Sequence, residues 1–473
     1  MSPPERGKLS AEVAKMRTLI ANGVVVTAAG SLHADVTIEG ERILQVGDGD
    51  GLPADHVIDA TGRYVLPGAI DPHTHLDLPV GACTSSDDFS TGTIAAALGG
   101  TTTVLDFATP EPGQTLSGAV DTWMRKAEGR AVVDFGFHVI VAEGATATPE
   151  ALAALAGAGV TSVKVFMAYP GRLMLGDGEI FEVLRDSRAS GVLVMLHAEN
   201  GGVIEALVHQ ALKAGRTAPR FHAATRPPAA EVEAVHRGIV LAELADAALY
   251  VVHVSTSGAV EEIRKARQRG LRVIGETCPQ YLVLSDEAYL APGTAPFGVV
   301  MSPPLRPAAM QSRLWQGLAD GDLQTIGTDH CPFLMRDKLR GRDDFTGIPN
   351  GAPGIEHRLA LTFDAGVRER RLTLERWVDA VSTAPARIFG LYPRKGAIAP
   401  GADADLVIFN PDATCEISSA THHMRVDYSI YEGRRTAGAV ETVLLRGDVI
   451  VNEGRFVGRA GAGRFLARAP HTA

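Results

Sequence analysis

The sequence predicts an α/β protein in which a (β/α)8 TIM barrel is joined to a composite β-sandwich domain formed by the N- and C-terminal segments. Three observations predict this fold. Eight apolar runs in the middle of the chain alternate with Ala-rich or amphipathic stretches, as in a buried parallel sheet covered by helices. Both chain ends instead contain short strand-like runs broken by Gly, Asp or Pro. Polar residues follow the apolar runs, at the barrel end where active sites form.

The eight apolar runs are the predicted barrel strands, and they share a short length and an apolar character on both faces. They lie in YVLPGAIDPHTH (64–75), TTTVLDFA (101–108), VVDFGFHVIV (132–141), TSVKVFMAY (161–169), GVLVMLHAE (191–199), ALYVVHVS (248–255), LRVIGETC (271–278) and LQTIGTDH (323–330). We therefore expect residues 67–395 to form the barrel and residues 16–66 plus 396–456 the β-sandwich domain. Residues 1–15 are expected to be an N-terminal extension and residues 457–473 a C-terminal tail.

Composition and charge exclude several classes of partner. The formal net charge is −10 and no basic face is evident, so neither nucleic acid nor an anionic membrane is an expected partner. No apolar run is long enough to span a bilayer, and the first residues lack the apolar stretch of a signal peptide. The four cysteines are scattered, with no CxxC pair, which favours a reducing compartment. We expect a cytoplasmic protein.

Six polar side chains stand where the predicted strands end or are interrupted. Because the carboxyl ends of barrel strands meet at one face, residues far apart in sequence are expected to converge there on one cavity. The six are His73 and His75 after the first strand, Lys164 in the fourth, His197 ending the fifth, His253 ending the sixth and Asp329 ending the eighth.

The four histidines indicate a metal site. His73 and His75 are separated by one residue, so in an extended segment both rings point to the same side. Imidazole is a preferred ligand of zinc and similar divalent metals. An HxH pair alone also fits a surface or core pair, but this one follows a strand directly. His197 and His253 each end an aliphatic run, and on adjacent strands they are better explained as ligands of a second metal.

Lys164 and Asp329 add anionic ligands to this hypothesis. Lys164 interrupts SVKVFM, a run expected to be buried, where an unpaired ammonium is costly and tends to lose its proton. A neutral lysine amine can react with carbon dioxide to give a carbamate that bridges two metals; the alternative is a snorkelling or ion-paired lysine at the rim. Asp329 can bind a metal and act as general base, or merely cap a helix.

The remaining histidines carry weaker expectations. His138, His330 and His357 are candidates to line the cavity, and Cys331 is expected to be a small wall residue rather than a nucleophile. The other histidines are predicted to lie at the surface or in ordinary packing: His33, His56, His209, His222, His236, His422, His423 and His471.

Together these residues resemble the binuclear amidohydrolase superfamily. Several longer segments are similar to the dihydropyrimidinase and D-hydantoinase family, and the resemblance extends from Met16 to about Phe456. These segments are DPHTHLDLP, GGTTTVLDF, VKVFMAY, HAENG, VHVS, GETCPQYL, SPPLR, GTDHCPF, IPNGAPGIEHR, GLYPRKGAIAPGADADLVIF and THHMRVDYSIYEG.

The resemblance implies a two-metal centre, with zinc as the expected metal. One zinc ion would be bound by His73 and His75, with Lys164 and Asp329. Lys164, carboxylated by CO2, would bridge to a second zinc ion, which is completed by the two histidines of the fifth and sixth strands. A hydroxide held between the ions would attack the ring carbonyl, and Asp329 would pass its proton to the leaving nitrogen.

The resemblance also implies a substrate site and a reaction. Tyr169 would donate a hydrogen bond to the developing oxyanion, and Ser302 and Asn350 would hold the ring, largely through main-chain groups. The substrate would be a 5,6-dihydropyrimidine or a 5-substituted hydantoin and the product an N-carbamoyl amino acid. The loop PGRLMLGDGEIF (170–181) would shape the pocket, with Leu78, Pro79 and Phe166 as apolar lining. Relatives of this kind form homotetramers, so a homotetramer is expected.

Three other functions stay open on the sequence alone. Allantoinases and dihydroorotases use a similar metal core. A dihydroorotase needs cationic groups for a substrate carboxylate, and SPPLR and IPNGAPG match the hydantoinase segments better. Non-catalytic tetrameric scaffold relatives keep the fold but have lost metal ligands, whereas this chain keeps all six.

Overall fold

An eight-stranded parallel barrel forms the centre of the molecule. The structure is a computed structural model that describes residues 16–48, 51, 53–145 and 147–471, so the predicted extension at 1–15 lies outside the described residues. Each barrel strand pairs in parallel with the next strand along the chain, and a bridge between Thr74 and His330 nearly closes the ring. The eight predicted strands are confirmed. They are Ala69–Thr74, Thr101–Ala108, Asp134–Ile140, Ser162–Phe166, Leu193–His197, Leu249–Val251, Val273–Thr277 and Thr325–Ile326.

The barrel strands are buried on both faces because helices cover the outside and side chains fill the inside. Several helices begin at a threonine, such as Thr115, Thr148 and Thr256, whose hydroxyl accepts an N–H of the first turn. The longer helices are Thr91–Leu98, Leu116–Ala127, Pro149–Gly157, Asp177–Ser190, Gly201–Lys213, Pro228–Leu244, Ser257–Gln268 and Gln311–Asp320. Shorter helices are Arg220–Ala224, Pro279–Val283, Ala295–Gly298, Met335–Lys338, Arg358–Thr362, Leu374–Val378 and Ala384–Ile388.

Two further sheets lie outside the barrel, and the seven-stranded one combines strands from both chain ends, as predicted. The C-terminal strand Leu406–Glu416 pairs antiparallel with the N-terminal strand Tyr64–Pro67. An apolar cluster that includes Ile20, Val36 and Leu406 packs between the sheets. The four-stranded sheet has the order Arg42–Gly47, Asp35–Glu39, Arg17–Ala21 and His56–Asp59. The seven-stranded sheet has the order Arg455–Phe456, Asp448–Asn452, Arg435–Leu445, Leu406–Glu416, Tyr64–Pro67, Val24–Thr27 and Gly30–His33.

Gly68 joins the seven-stranded sheet to the first barrel strand. A Cβ at this position would lie 2.1 Å from the Thr102 hydroxyl, so only glycine allows the two strands to approach so closely. The predicted run YVLPGAIDPHTH is therefore two strands that belong to different sheets. The domain boundaries predicted at 66/67 and 395/396 remain predictions.

The described part of the C-terminal segment 457–473 packs against the barrel. The amide of Leu466 donates to the carbonyl of Phe135, and the guanidinium of Arg468 donates to the hydroxyl of Ser162 at 3.0 Å. Burial lowers the pKa of Arg468 to about 9. Leu466 lies in the apolar cluster inside the barrel, so this segment contributes to the core. Among the helices of the described chain, none combines the length and apolar character required to cross a bilayer.

Candidate metal centre and active-site cavity

A cavity of about 530 Å³ opens at the carboxyl ends of the barrel strands. Eight of the nine predicted metal-ligand, catalytic and substrate-binding residues line it, and the exception, His73, is fully buried. The predicted apolar lining of Leu78, Pro79 and Phe166 also lies along its wall. The site residues in the lining are His75, Lys164, Tyr169, His197, His253, Ser302, Asp329 and Asn350.

His73, His75 and Asp329 form a candidate metal site. Their ligand atoms all lie within 4.8 Å of one another. The Nε2 atoms of His73 and His75 are 3.1 and 3.2 Å from the same carboxylate oxygen of Asp329. The amine nitrogen of Lys164 lies 2.9 Å from Nε2 of His73. Two imidazoles and a carboxylate facing one point, with an amine beside them, fit the donor set of a divalent metal such as zinc.

The buried carboxylate of Glu276 orients His73. Its Oε1 lies 2.7 Å from Nδ1 of His73, and its Oε2 accepts a hydrogen bond from the hydroxyl of Tyr250 at 2.8 Å. A carboxylate oxygen accepts hydrogen bonds, so Nδ1 of His73 donates to Glu276, and Nε2 is the ring nitrogen that faces Asp329. A carboxylate behind a ligating histidine is a common way to fix the ring and raise its basicity.

Replacement of Glu276 with glutamine is therefore expected to weaken metal binding about 10- to 100-fold. The amide keeps the size of the side chain but removes the anionic acceptor of the Nδ1 proton. Competition with a chromophoric chelator measures the metal affinity. Glu262→Gln, an outer-helix glutamate paired with the exposed His236, is the matched control. An unchanged affinity in Glu276→Gln would contradict the orienting role.

His197 and His253 form a second pair of candidate ligands. Nδ1 of His197 and Nε2 of His253 face each other at 2.9 Å. The other ring nitrogen of His197 lies 2.9 Å from the buried carboxylate of Glu199, which fixes the tautomer just as Glu276 does for His73. The His73 and His253 rings are 5.5 Å apart, so the two groups of ligands are adjacent.

The charge states of these groups suit metal binding. Burial lowers the pKa of His75 to about 4, and burial together with His197 lowers the pKa of His253 well below its usual value. Burial alone would raise the pKa of Asp329, but the neighbouring His73 and His75 outweigh it and hold this pKa well below its usual range. Near neutral pH, His75 and His253 are therefore neutral imidazoles and Asp329 is an ionised carboxylate, which are the forms that bind metals.

Lys164 lies in an apolar environment beside the first group of ligands. Its side chain is buried, and its nitrogen lies over the ring of Phe107, 4.3 Å from the centroid. Burial lowers its pKa to about 8. Lys164 forms no ion pair within the described part of the chain. This is the environment in which a lysine amine loses its proton and becomes nucleophilic.

Three site residues have an unusual backbone conformation. Nine non-glycine residues of the described chain have a positive φ, and these include Tyr169 at 68°, His253 at 42° and Asp329 at 52°. Such conformations cost free energy and cluster at functional sites, where the surrounding structure maintains them. Each of the three follows a barrel strand and lines the cavity. The positive φ therefore occurs where the chain leaves the sheet at the site.

Tyr169, Ser302 and Asn350 form a polar group on the cavity wall. The side-chain amide of Asn350 donates to the hydroxyl of Ser302 at 3.2 Å, and both side chains adjoin the Tyr169 hydroxyl. Burial and the charge of Glu199 raise the pKa of Tyr169 to about 12. The phenol is therefore protonated, and thus a hydrogen-bond donor, over the whole physiological range.

Sequence reasoning missed several residues at this site. Glu276 and Glu199 were not singled out, although each is a carboxylate at the end of an apolar run. His222, predicted at the surface or in ordinary packing, is buried and lines the cavity, where its Nε2 donates to the carbonyl of Met301 at 2.8 Å. His138, by contrast, does not line the cavity and instead contacts Ser162 from within the barrel.

His330 is buried and His357 is partly buried, and neither lines the cavity. His330 bonds to the carboxylate of Asp87 at 3.0 Å, and its other nitrogen accepts the amide of Gly354. This places His330 in the scaffold that holds the loops around the site. Cys331 does line the cavity wall, and burial raises the pKa of its thiol, which disfavours a nucleophilic role.

A parallel barrel with histidine, carboxylate and lysine side chains at its carboxyl end is typical of the class of metal-dependent barrel hydrolases. Residues 64–450 match the amidohydrolase family. A D-hydantoinase of Streptomyces coelicolor is 49% identical over 459 residues, which cover 96% of this chain and 98% of that protein. The chain therefore belongs to the amidohydrolase family, and within it to the group of D-hydantoinases and dihydropyrimidinases.

Solved structures agree with this grouping. A dihydropyrimidinase from Brevibacillus agri is similar with a TM-score of 0.95 at 49% identity, covering 97% of this chain and 100% of that chain. An L-hydantoinase (dihydropyrimidinase) from Arthrobacter aurescens is more distant, with a TM-score of 0.88 at 31% identity, covering 95% and 99% of the two chains.

Proposed function

We propose that this protein hydrolyses a cyclic amide, either a 5,6-dihydropyrimidine or a 5-substituted hydantoin, to an N-carbamoyl amino acid. The observation that carries this proposal is the convergence of both groups of candidate metal ligands with Tyr169, Ser302 and Asn350 on one cavity. The similarity to a D-hydantoinase and a dihydropyrimidinase over nearly the whole chain supports the same substrate class.

The residues present fit two divalent metal ions. His73, His75 and Asp329 would hold one, and His197 and His253 the other. When bound, the ions supply a water of lowered pKa and polarise the substrate carbonyl. The facing ring nitrogens of His197 and His253, 2.9 Å apart, are donors that a cation would satisfy. Imidazole ligands favour zinc, which we propose as the metal.

We propose that Lys164 is N-carboxylated and would serve as a ligand to both ions. Its neutral amine would form an N–C bond to the carbon of CO2 and lose one proton to solvent, giving an anion with two ligand oxygens. The burial of the amine and its lowered pKa support this reaction, because the neutral form is the nucleophile. The negative charge on the carbamate oxygens would also offset the positive charge of the two cations.

The remaining steps of ring opening are assigned to side chains of the protein. Asp329, ionised at neutral pH, would accept the proton of the attacking water as its oxygen bonds to the ring carbonyl carbon. The same proton would then pass to the ring nitrogen as the C–N bond breaks. Tyr169 would donate a hydrogen bond to the carbonyl oxygen as charge develops on it. Ser302 and Asn350 would hold the ring in place, chiefly through their main-chain groups.

We further propose a homotetramer in the cytoplasm. All four cysteines are unpaired, which fits a reducing compartment. The tetramer is expected from the resemblance of this chain to tetrameric relatives. Size-exclusion chromatography with light scattering measures the assembly directly, and a monomer at micromolar concentration would contradict it.

A substrate panel tests the proposed function. The protein, supplied with zinc and bicarbonate, is expected to hydrolyse dihydrouracil or a hydantoin, with N-carbamoyl product detected by chromatography. Hydantoin, both enantiomers of 5-phenylhydantoin, allantoin and dihydroorotate complete the panel. Chelation should abolish turnover and zinc should restore it. Turnover of allantoin or dihydroorotate alone would contradict the substrate class, and a zinc-loaded protein that opens no ring would instead fit a scaffold.

A further inference from the structure

Lys338 is a fully buried lysine outside the candidate metal centre. It ends the short helix Met335–Lys338, and its side chain is completely inaccessible to solvent. Its amine nitrogen donates to three main-chain carbonyls, those of Val300 at 2.8 Å, Pro349 at 2.7 Å and Gly351 at 2.6 Å. Burial lowers its pKa to about 7, whereas three acceptors favour the ammonium, the only form with three N–H donors.

The three carbonyls belong to the two loops that carry the proposed ring-binding residues. Val300 lies two residues before Ser302, and Pro349 and Gly351 are the immediate neighbours of Asn350. The amide of Gly351 also donates to the carbonyl of Val300 at 3.1 Å. Lys338 therefore binds where the two loops meet, directly behind the contact between the side chains of Asn350 and Ser302.

The same loops are also in close contact with the metal-ligand loop. Gly351 has a φ of +145°, and a Cβ there would lie 2.3 Å from the carbonyl oxygen of Cys331, two residues after Asp329. In addition, Nε2 of His222 donates a hydrogen bond to the carbonyl of Met301 at 2.8 Å. Buried side chains thus hold the consecutive carbonyls of Val300 and Met301. A small displacement of either loop would change the distance between the ring-binding groups and the metal ligands.

We propose that Lys338 is a positioning residue that holds the loops of Ser302 and Asn350 in register and so sets the affinity for the imide edge of the substrate ring. This inference rests on the proposed function, because it assigns those two loops to ring binding. Lys338 touches neither the cavity nor a metal ligand. Its effect is expected in substrate binding, and the metal ligands should stay intact.

Lys338→Met tests the inference, because methionine keeps the apolar stem and removes all three donors. We expect KM for the hydrolysed ring to rise about 10- to 100-fold, since small misplacements of binding groups have effects of this size. The turnover number should change less than about threefold and the metal content should stay at the wild-type value. Hydrogen exchange should become faster at residues 298–302 and 348–352.

Arg376→Met is the matched control. Arg376 also donates to main-chain carbonyls, those of Leu318 at 2.7 Å and Leu323 at 2.6 Å, but it does not line the cavity. This variant should lose thermal stability with KM and exchange in the two loops unchanged. Lys338→Arg is the milder second variant: a planar guanidinium is not expected to reach all three carbonyls, so KM should rise at least about threefold.

The outcomes separate this inference from the proposed function. If the wild type hydrolyses a cyclic amide and both Lys338 variants have an unchanged KM, this inference is overturned and the proposed function is not. Unchanged hydrogen exchange in the two loops would also overturn it, whatever the substrate is. A wild-type protein that opens no cyclic amide would overturn the proposed function and this inference together. A raised KM with normal metal content and faster loop exchange supports the inference.

Discussion

Replacing Lys164 with alanine is expected to lower the turnover number for ring opening at least about a thousandfold, the scale on which loss of an essential catalytic group acts. The physical reason is the loss of the anionic ligand that we propose the two groups of histidines share. Without the carbamate, two cations in one buried site would repel each other with no bridging anion. The metal content per chain should fall along with the turnover number, and both are measured on the same purified sample.

Two controls make the Lys164 prediction specific. Lys164→Gln keeps a side chain of similar length that cannot react with CO2, and it should be as inactive as the alanine variant. Lys213→Ala removes an exposed lysine from an outer helix and should leave activity and metal content unchanged. Native mass spectrometry should detect one added CO2 per chain in the wild type and none in either Lys164 variant. Full activity in Lys164→Gln would refute the bridging role.

The sequence signals the candidate ligands because most of them interrupt or end an apolar run. A charged or polar side chain inside a buried strand is costly, so its presence points to a partner or a cofactor. Lys164 in SVKVFM and His197 in MLHAEN illustrate this signal. Glu276 in VIGET has the same signal, and the rule that found Lys164 would also have found it. Its role as a partner of His73, however, depends on two strands that are 203 residues apart in sequence.

Other parts of the site could not be predicted from local patterns. Lys338 lies in MRDKLRGRDD, a highly charged segment that has the composition of an exposed helix. It is buried because the carbonyls of two distant loops meet its amine. His222 lies in RFHAAT, which has no clear periodicity, and it is buried by its contact with the loop at Met301. In both cases tertiary contacts determine burial, and hydrophobic periodicity carries no information about them.

The composite β domain, too, could be predicted only in part from the sequence. Both chain ends contain similar short strand-like runs, which predicted that both contribute to this domain. The pairing of Leu406 with Pro67 confirms this. The first apolar run, in which the predicted boundary at 66/67 falls, divides at Gly68 between two sheets. The reason for that division is the close approach to Thr102, a residue of the next barrel strand. Local propensity identifies strands, and the contacts between them decide where each sheet ends.

Replacing Tyr169 with phenylalanine is expected to lower the turnover number about 100- to 1,000-fold, or about 2.7–4 kcal/mol, the usual effect of removing one oxyanion donor. KM should change less than about threefold and metal content should be unchanged, because the lost hydrogen bond forms fully only in the transition state. Tyr392→Phe, at a tyrosine that is 44% exposed, is the matched control and should leave all three quantities unchanged.

The pH dependence adds a second check on Tyr169. Burial raises the pKa of its phenol to about 12, so the donor is present below that value and is lost only as the pH rises through it. The turnover numbers of the wild type and Tyr169→Phe should therefore show the same pH profile up to about pH 10, offset by a constant factor. An offset that disappears between neutral pH and pH 10 would mean that the phenol titrates in that range. A fall in metal content in Tyr169→Phe would show instead that Tyr169 supports the metal ligands, and the oxyanion role would then be wrong.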